Sequence, residues 1–121
     1  NMMTVLEKAY TIEKKTAETD GQAFDILLNP KHPLYDGHFP GMPVTPGVVV
    51  LSIVRDCGSE MLGKHIRFAS IENCKFLAAI RPDINPRFSL HIQMKADNRL
   101  LATAEYGGET SLKLKATWTT E

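Results

Sequence analysis

Apolar and polar residues alternate through much of the second half of the chain. Phe88, Leu90, Ile92, Met94 and Ala96 share one side, with Ser89, His91, Gln93 and Lys95 on the other. Leu112, Leu114, Ala116 and Trp118 alternate in the same way with Lys113, Lys115 and Thr117. A period of two is that of an extended strand with one buried face, so both segments are predicted strands. Between them Leu100–Tyr106 forms a third, joined to the last through Gly107-Gly108, a two-residue hairpin signal. Ile66–Leu77 is a longer strand whose mixed pattern predicts a bulge. Upstream, Ala23–Leu28 is strand-like and follows the turn signal Thr19-Asp20-Gly21. Residues 4–16 fit either a strand or a helix with Leu6, Ala9, Tyr10 and Glu13 on one face.

One segment breaks the alternation. Val48-Val49-Val50-Leu51 is β-branched enough for a strand, but Val50, Ile53, Val54, Cys57 and Met61 recur at helical spacing. Ser52, Arg55, Asp56, Ser59 and Glu60 then fall on the opposite, polar face. Thr45 is the expected cap, Pro46 the first helical residue, and Gly63 the C-terminal stop, giving a helix of about 16 residues. Before it, Pro30, Pro33, Pro40, Pro43 and Pro46 stand among Gly37, Gly41 and Gly47. Each proline removes a donor and fixes φ, so this stretch is a long structured loop. Hairpin-linked strands and one apolar helix imply an α+β fold, an antiparallel sheet wrapped around a central helix.

Composition narrows the classes of function. The 121 residues, 43% apolar, suit one packed domain spanning 1–121. Fourteen basic and fourteen acidic residues cancel, which argues against a nucleic-acid partner, whose phosphates reward a basic excess. No apolar run approaches the ~20 residues of a spanning helix, and the first residues lack a signal peptide's apolar segment. A soluble, cytoplasmic protein without a membrane span is expected. Cys57 and Cys74 are too few for a disulfide scaffold and are expected to fill core space. The four histidines show no metal-ligand spacing, so neither a metal nor a cofactor is expected. His32 is expected to cap or pack within the loop, and His91 to lie on a polar strand face.

Residues 32–51 read His-Pro-Leu-Tyr-Asp-Gly-His-Phe-Pro-Gly-Met-Pro-Val-Thr-Pro-Gly-Val-Val-Val-Leu. From Gly37 to Gly47 they resemble the signature of the 3-hydroxyacyl-acyl-carrier-protein dehydratases of type II fatty-acid synthesis. Cys74-Lys75-Phe76 and Ile80-Arg81-Pro82 resemble that family's Lys-Phe strand and the turn after it. The resemblance implies a hotdog fold, a dimer with sites shared between chains, and a substrate carried on an acyl carrier protein. It implies His38 as the base that takes the α-proton, a task a neutral imidazole suits near pH 7. Gly47, at the helix N-terminus, would offer its N–H to the thioester oxygen as negative charge develops. Phe39, Pro46 and Val48 are expected to line the substrate site. Lys64, Arg67, Lys75, Arg81 and Arg87 are available to an acidic carrier.

The chain departs from the family at the acid. Fourteen positions after the histidine, where the dehydratases carry Glu or Asp, stands Ser52. The nearest carboxylate, Asp56, is one turn later, about 6 Å along the axis and 40° around it. It would act through a water, or be a solvated or Arg-paired surface group. Three functions follow: a dehydratase with an altered acid, acting on fatty or polyene-type chains; a non-catalytic or half-catalytic subunit that pairs with an acid-bearing paralogue; and an acyl-thioester hydrolase or binding protein using Ser52 or Asp56.

Overall fold

The alternation is realised as six antiparallel strands in one sheet. The computed structural model describes residues 7, 9–36 and 41–121. Strands β1 (Tyr10–Glu18) and β2 (Gly21–Leu28) precede helix α1 (Gly47–Leu62). Strands β3 (Ile66–Phe76), β4 (Arg87–Lys95), β5 (Arg99–Tyr106) and β6 (Glu109–Thr120) follow it. The order across the sheet is β1-β2-β4-β5-β6-β3, so β1 and β3 are its edges. The ambiguous N-terminal segment is thus a strand from Tyr10 onward.

The sheet's inner face carries the core. Phe24, Ile26 and Leu28 of β2, Phe88, Leu90 and Ile92 of β4, and Leu112, Leu114 and Ala116 of β6 are each at most 3% exposed. They close on Val50, Ile53, Val54 and Cys57 of α1. The two-residue hairpin between β5 and β6 places Gly107 and Gly108 at φ 62° and 81°, which the right-handed strand twist favours. The expected irregularity in β3 is two register shifts, between Phe68 and Ser70 and between Ile71 and Asn73. The ten residues from β3 to β4 are not a short connection, because they lead from the sheet's edge back to its interior. Tyr106 pins them: its hydroxyl accepts from the Arg81 N–H and lies 2.8 and 2.9 Å from the carbonyls of Arg81 and Asn85.

The helix ends on Gly63 in the left-handed region, as expected, but it begins differently. Thr45 does not cap it. The Thr45 hydroxyl is buried against the Tyr35 hydroxyl at 3.0 Å, and extended Pro46 is the cap residue, its carbonyl accepting from the Val49 and Val50 N–H groups. Ser52 corrects the expected polar face: it is buried, with 8% exposure. Strand β1 reaches this side of α1 through Tyr10–Asp56 and Lys15–Glu60 contacts, and Arg55, Asp56 and Ser59 are only half exposed. Cys57 is a core residue, whereas Cys74 is half-buried because it lies on edge strand β3. Ala96 falls beyond β4 in an exposed turn, and Trp118 is half-buried beneath the Lys64 ammonium, 5.1 Å from the ring centre.

Candidate active site

The N-terminus of α1 opens into an apolar groove of about 580 Å³. Pro46, Gly47, Val48 and Val50 form one wall, and Phe76, the last residue of β3, through Ile80 form the other. The Pro46 carbonyl engages the N–H groups of Val49 and Val50, leaving those of Gly47 and Val48 without an acceptor among the described residues. Unpaired donors at a helix start, with the helix dipole behind them, favour an oxygen that is gaining negative charge.

Gly47 also makes a packing contact that the motif alone does not disclose. A Cβ at this position would stand 2.7–3.0 Å from the Phe76 ring, so only glycine lets the ring lie against the helix start. Phe76, Leu77 and Val48 remain 52%, 55% and 60% exposed, so the groove presents apolar surface at the sheet's edge. Phe76 was visible in the sequence only as part of the Lys-Phe pair.

The remaining predicted site residues are not gathered in this groove. His38 and Phe39 lie outside the described residues. The Ser52 hydroxyl donates to the Val48 carbonyl of its own helix at 2.9 Å. Asp56 lines a separate depression of about 450 Å³ with Tyr10, Arg55, Glu60 and His65. There the Tyr10 hydroxyl donates to Asp56 Oδ2 at 2.9 Å, and Arg55 Nη2 lies 3.6 Å from Oδ1. Burial first, and the neighbouring Asp56 carboxylate second, hold the Tyr10 hydroxyl well above the ordinary phenol range. That Arg55 nitrogen is buried and has no hydrogen-bond partner among the described residues. Asp56 is therefore held by two partners.

The two histidines expected to be structural are placed accordingly. His32 caps the short 3₁₀ turn Pro33–Tyr35: Nδ1 accepts from the Leu34 N–H, and Nε2 faces the Glu7 carbonyl, both at 3.0 Å. Donation from Nε2 fixes the tautomer. His91 lies on the outer sheet face, 3.0 Å from Glu18. Of the basic residues available to a carrier, Arg81 is paired with Asp83 and Arg87 with Glu13.

Comparison with known proteins matches residues 13–113 to the family described as ApeI-like, ApeI dehydratase. The 3-hydroxyacyl-acyl-carrier-protein dehydratase FabZ of Aliarcobacter butzleri is 34% identical over 98 residues, 61% of this chain and 67% of that protein. FabZ of Chloroflexus aggregans is 31% identical over 74 residues, and the match spans about half (51%) of its length and 55% of this chain. Among solved structures, the dehydratase heterocomplex ApeI:P from Xenorhabdus doucetiae superposes with a TM-score of 0.76. It is 21% identical, covering 89% of this chain and 96% of the other. A putative thioesterase from Shewanella oneidensis has a TM-score of 0.62 at 11% identity, covering 98% and 88%. At these identities the structural likeness is one of fold, and the fold is the hotdog.

Proposed function

Because this chain belongs to the ApeI-like dehydratase family, we propose that it removes water from 3-hydroxyacyl thioesters presented by an acyl carrier protein, leaving the trans-2-enoyl thioester. One observation carries the proposal: two helix N–H groups with no acceptor among the described residues stand at the wall of an apolar groove where the signature motif ends. The acyl chain lies along Val48, Phe76 and Leu77, its thioester oxygen toward Gly47. His38 takes the α-proton, and charge gathering on the oxygen is met by the helix start. The hydroxyl leaves as water once a proton reaches it.

The source of that proton decides between two forms of the function. Among the described residues no carboxylate lines the groove, Ser52 is tied to Val48, and Asp56 is tied to Tyr10 and Arg55. In the first form, a better leaving hydroxyl, such as one allylic to existing double bonds, reduces the need for a strong acid and makes polyene-type chains the substrate. In the second, a paralogue contributes its own helix carboxylate opposite His38 across a shared dimer interface. The second is favoured by this absence of a free acid. A hydrolase would need Ser52 or Asp56 free to attack or to activate water, and both are engaged.

The chain acts as one hotdog domain in a dimer, and the cytoplasm is the compartment such a carrier-linked substrate implies. The test is turnover of a 3-hydroxyacyl thioester by the purified protein, alone and then mixed with a family member that carries the acid. Activity alone supports the first form, and activity only in the mixture supports the second. Release of free acid without enoyl product would overturn both.

A further inference from the structure

The outer face of the sheet carries a second concavity, about 580 Å³ in volume, separate from the groove at the helix start. Its floor is two transverse rows of side chains. Lys75, Lys113 and Thr103 lie side by side in one row, and Asn73 and Lys115 in the next. Lys75 and Lys113 are direct cross-strand partners, and Lys113 and Lys115 project from the same face of β6. Like charges placed opposite one another on a sheet are unfavourable. None of the three ammonium groups has a carboxylate within salt-bridge distance among the described residues. The cleft's one carboxylate, Glu18, is held by His91 at 3.0 Å on the far wall.

We propose that this cleft binds a compact, multiply charged anion of the phosphate class: Lys75, Lys113 and Lys115 neutralise it, and Asn73 and Thr103 supply neutral hydrogen bonds. Three ammonium groups within two residue rows match the charge density of a diphosphate or a phosphorylated small molecule. The volume also suits a small-molecule ligand. An acidic helix, roughly 10–12 Å across, would ride over such a cleft instead of entering it. The proposal is independent of the dehydratase function.

Inorganic pyrophosphate is the probe, titrated calorimetrically into the full chain at low and at near-physiological ionic strength. One pyrophosphate per chain is expected, binding more weakly as salt rises. Lys75→Gln and Lys113→Gln should each weaken binding on the order of tenfold, and Lys31→Gln, elsewhere on the surface, should leave it unchanged. Without ligand, Lys113→Gln should melt higher than the parent because the like-charge pair is gone. Pyrophosphate should raise the melting temperature of the parent but not that of the Lys75→Gln, Lys113→Gln double variant. Absence of binding at low salt, or equal binding by the double variant, would overturn the proposal. So would tighter binding of a poly-glutamate peptide than of pyrophosphate, which would make the face a protein-docking surface. None of these outcomes depends on turnover.

Discussion

At the scale of single residues, Ser52 and Gly47 are where the proposed chemistry is open to test. Ser52 is buried, but its Cα–Cβ bond leans toward the helix start, as do all side chains on a helix. A glutamate there would extend past exposed Val48 toward the groove, where apolar surroundings would raise its pKa and favour the protonated acid. Ser52→Glu should therefore raise dehydration of a saturated 3-hydroxyacyl thioester by about tenfold or more. His38→Ala should abolish the increase. If Ser52→Glu folds and gains nothing while Asp56→Ala removes the native activity, Asp56 is the acid despite its partners. Gly47→Ala tests the other pole. Its methyl group must displace the Phe76 ring, the end of a half-exposed side chain, so the fold should survive with a stability change of about 1 kcal/mol. Turnover should nevertheless fall by on the order of 10²-fold, because the displaced ring and the added methyl both obstruct the N–H that faces the oxygen. Unchanged turnover in a folded Gly47→Ala protein would remove Gly47 from the mechanism.

At the scale of elements, the helix and strands β4 and β6 were legible because each carries one clean period, whereas β1 stayed ambiguous and β3 showed a mixed pattern. Phe88 to Ile92 and Leu112 to Ala116 alternate without exception, and the Val50–Met61 spacing overrode the β propensity of three consecutive valines. What the periodicity did not convey is how much of the helix's polar face is buried. A helical wheel places Ser52 opposite the core, yet in the fold it is buried. Thr45 carried a capping signal, but a buried tyrosine competed for its hydroxyl and won. The Gly47–Phe76 contact joins residues far apart in the chain and leaves no local trace. Two measurements probe this packing. At Gly21 a Cβ would stand 2.0 Å from the Ile92 carbonyl oxygen, which is backbone and part of the β2–β4 ladder. Gly21→Ala should lose roughly 3 kcal/mol or more in urea unfolding, and a loss under ~1 kcal/mol would mean the strands separate easily. Cys57, at the centre of α1, has its thiol pushed up to about 12 by burial, against about 9 in the unfolded chain. Between those values the folded state binds the extra proton, so stability is full below pH ~9 and falls as pH rises, by about 1.4 kcal/mol per unit. Tyr10, also raised, adds in the same direction above its ordinary range. Urea midpoints across this alkaline window should show the decline, and Cys57→Ala should flatten its slope whatever it does to the absolute stability.

At the scale of the whole molecule, the sheet has two unpaired edges, and they differ. Strand β1 is mostly polar along its edge, with Lys14, Lys15, Thr16 and Glu18 exposed. Strand β3 ends at Phe76 and carries exposed Ile71, and beside it stand exposed Leu77 and Val48. An exposed apolar edge strand is a ready template for pairing with another chain, and natural proteins seldom leave one uncovered. The groove at the helix start opens at this same edge, so a second chain seated along β3 would both cover the apolar strip and bring its own helix toward the groove. The buried Arg55 Nη2, whose partner among the described residues is the 3.6 Å ion pair with Asp56 and which makes no hydrogen bond there, is a further group that a neighbouring chain would satisfy. The protein is therefore expected to be dimeric at micromolar concentration, with a scattering mass of about twice 13.5 kDa. Ile71→Lys, which places a charge in the strip without touching the core, should shift it toward monomer and lower turnover in parallel. If the favoured form of the function holds, the acid-bearing paralogue should displace one chain of this dimer and restore full activity to the Ser52 protein but not to Ile71→Lys. A stable monomer in light scattering that turns over substrate unaided would refute the shared site, because every role would then have to be filled from the 121 residues of one chain.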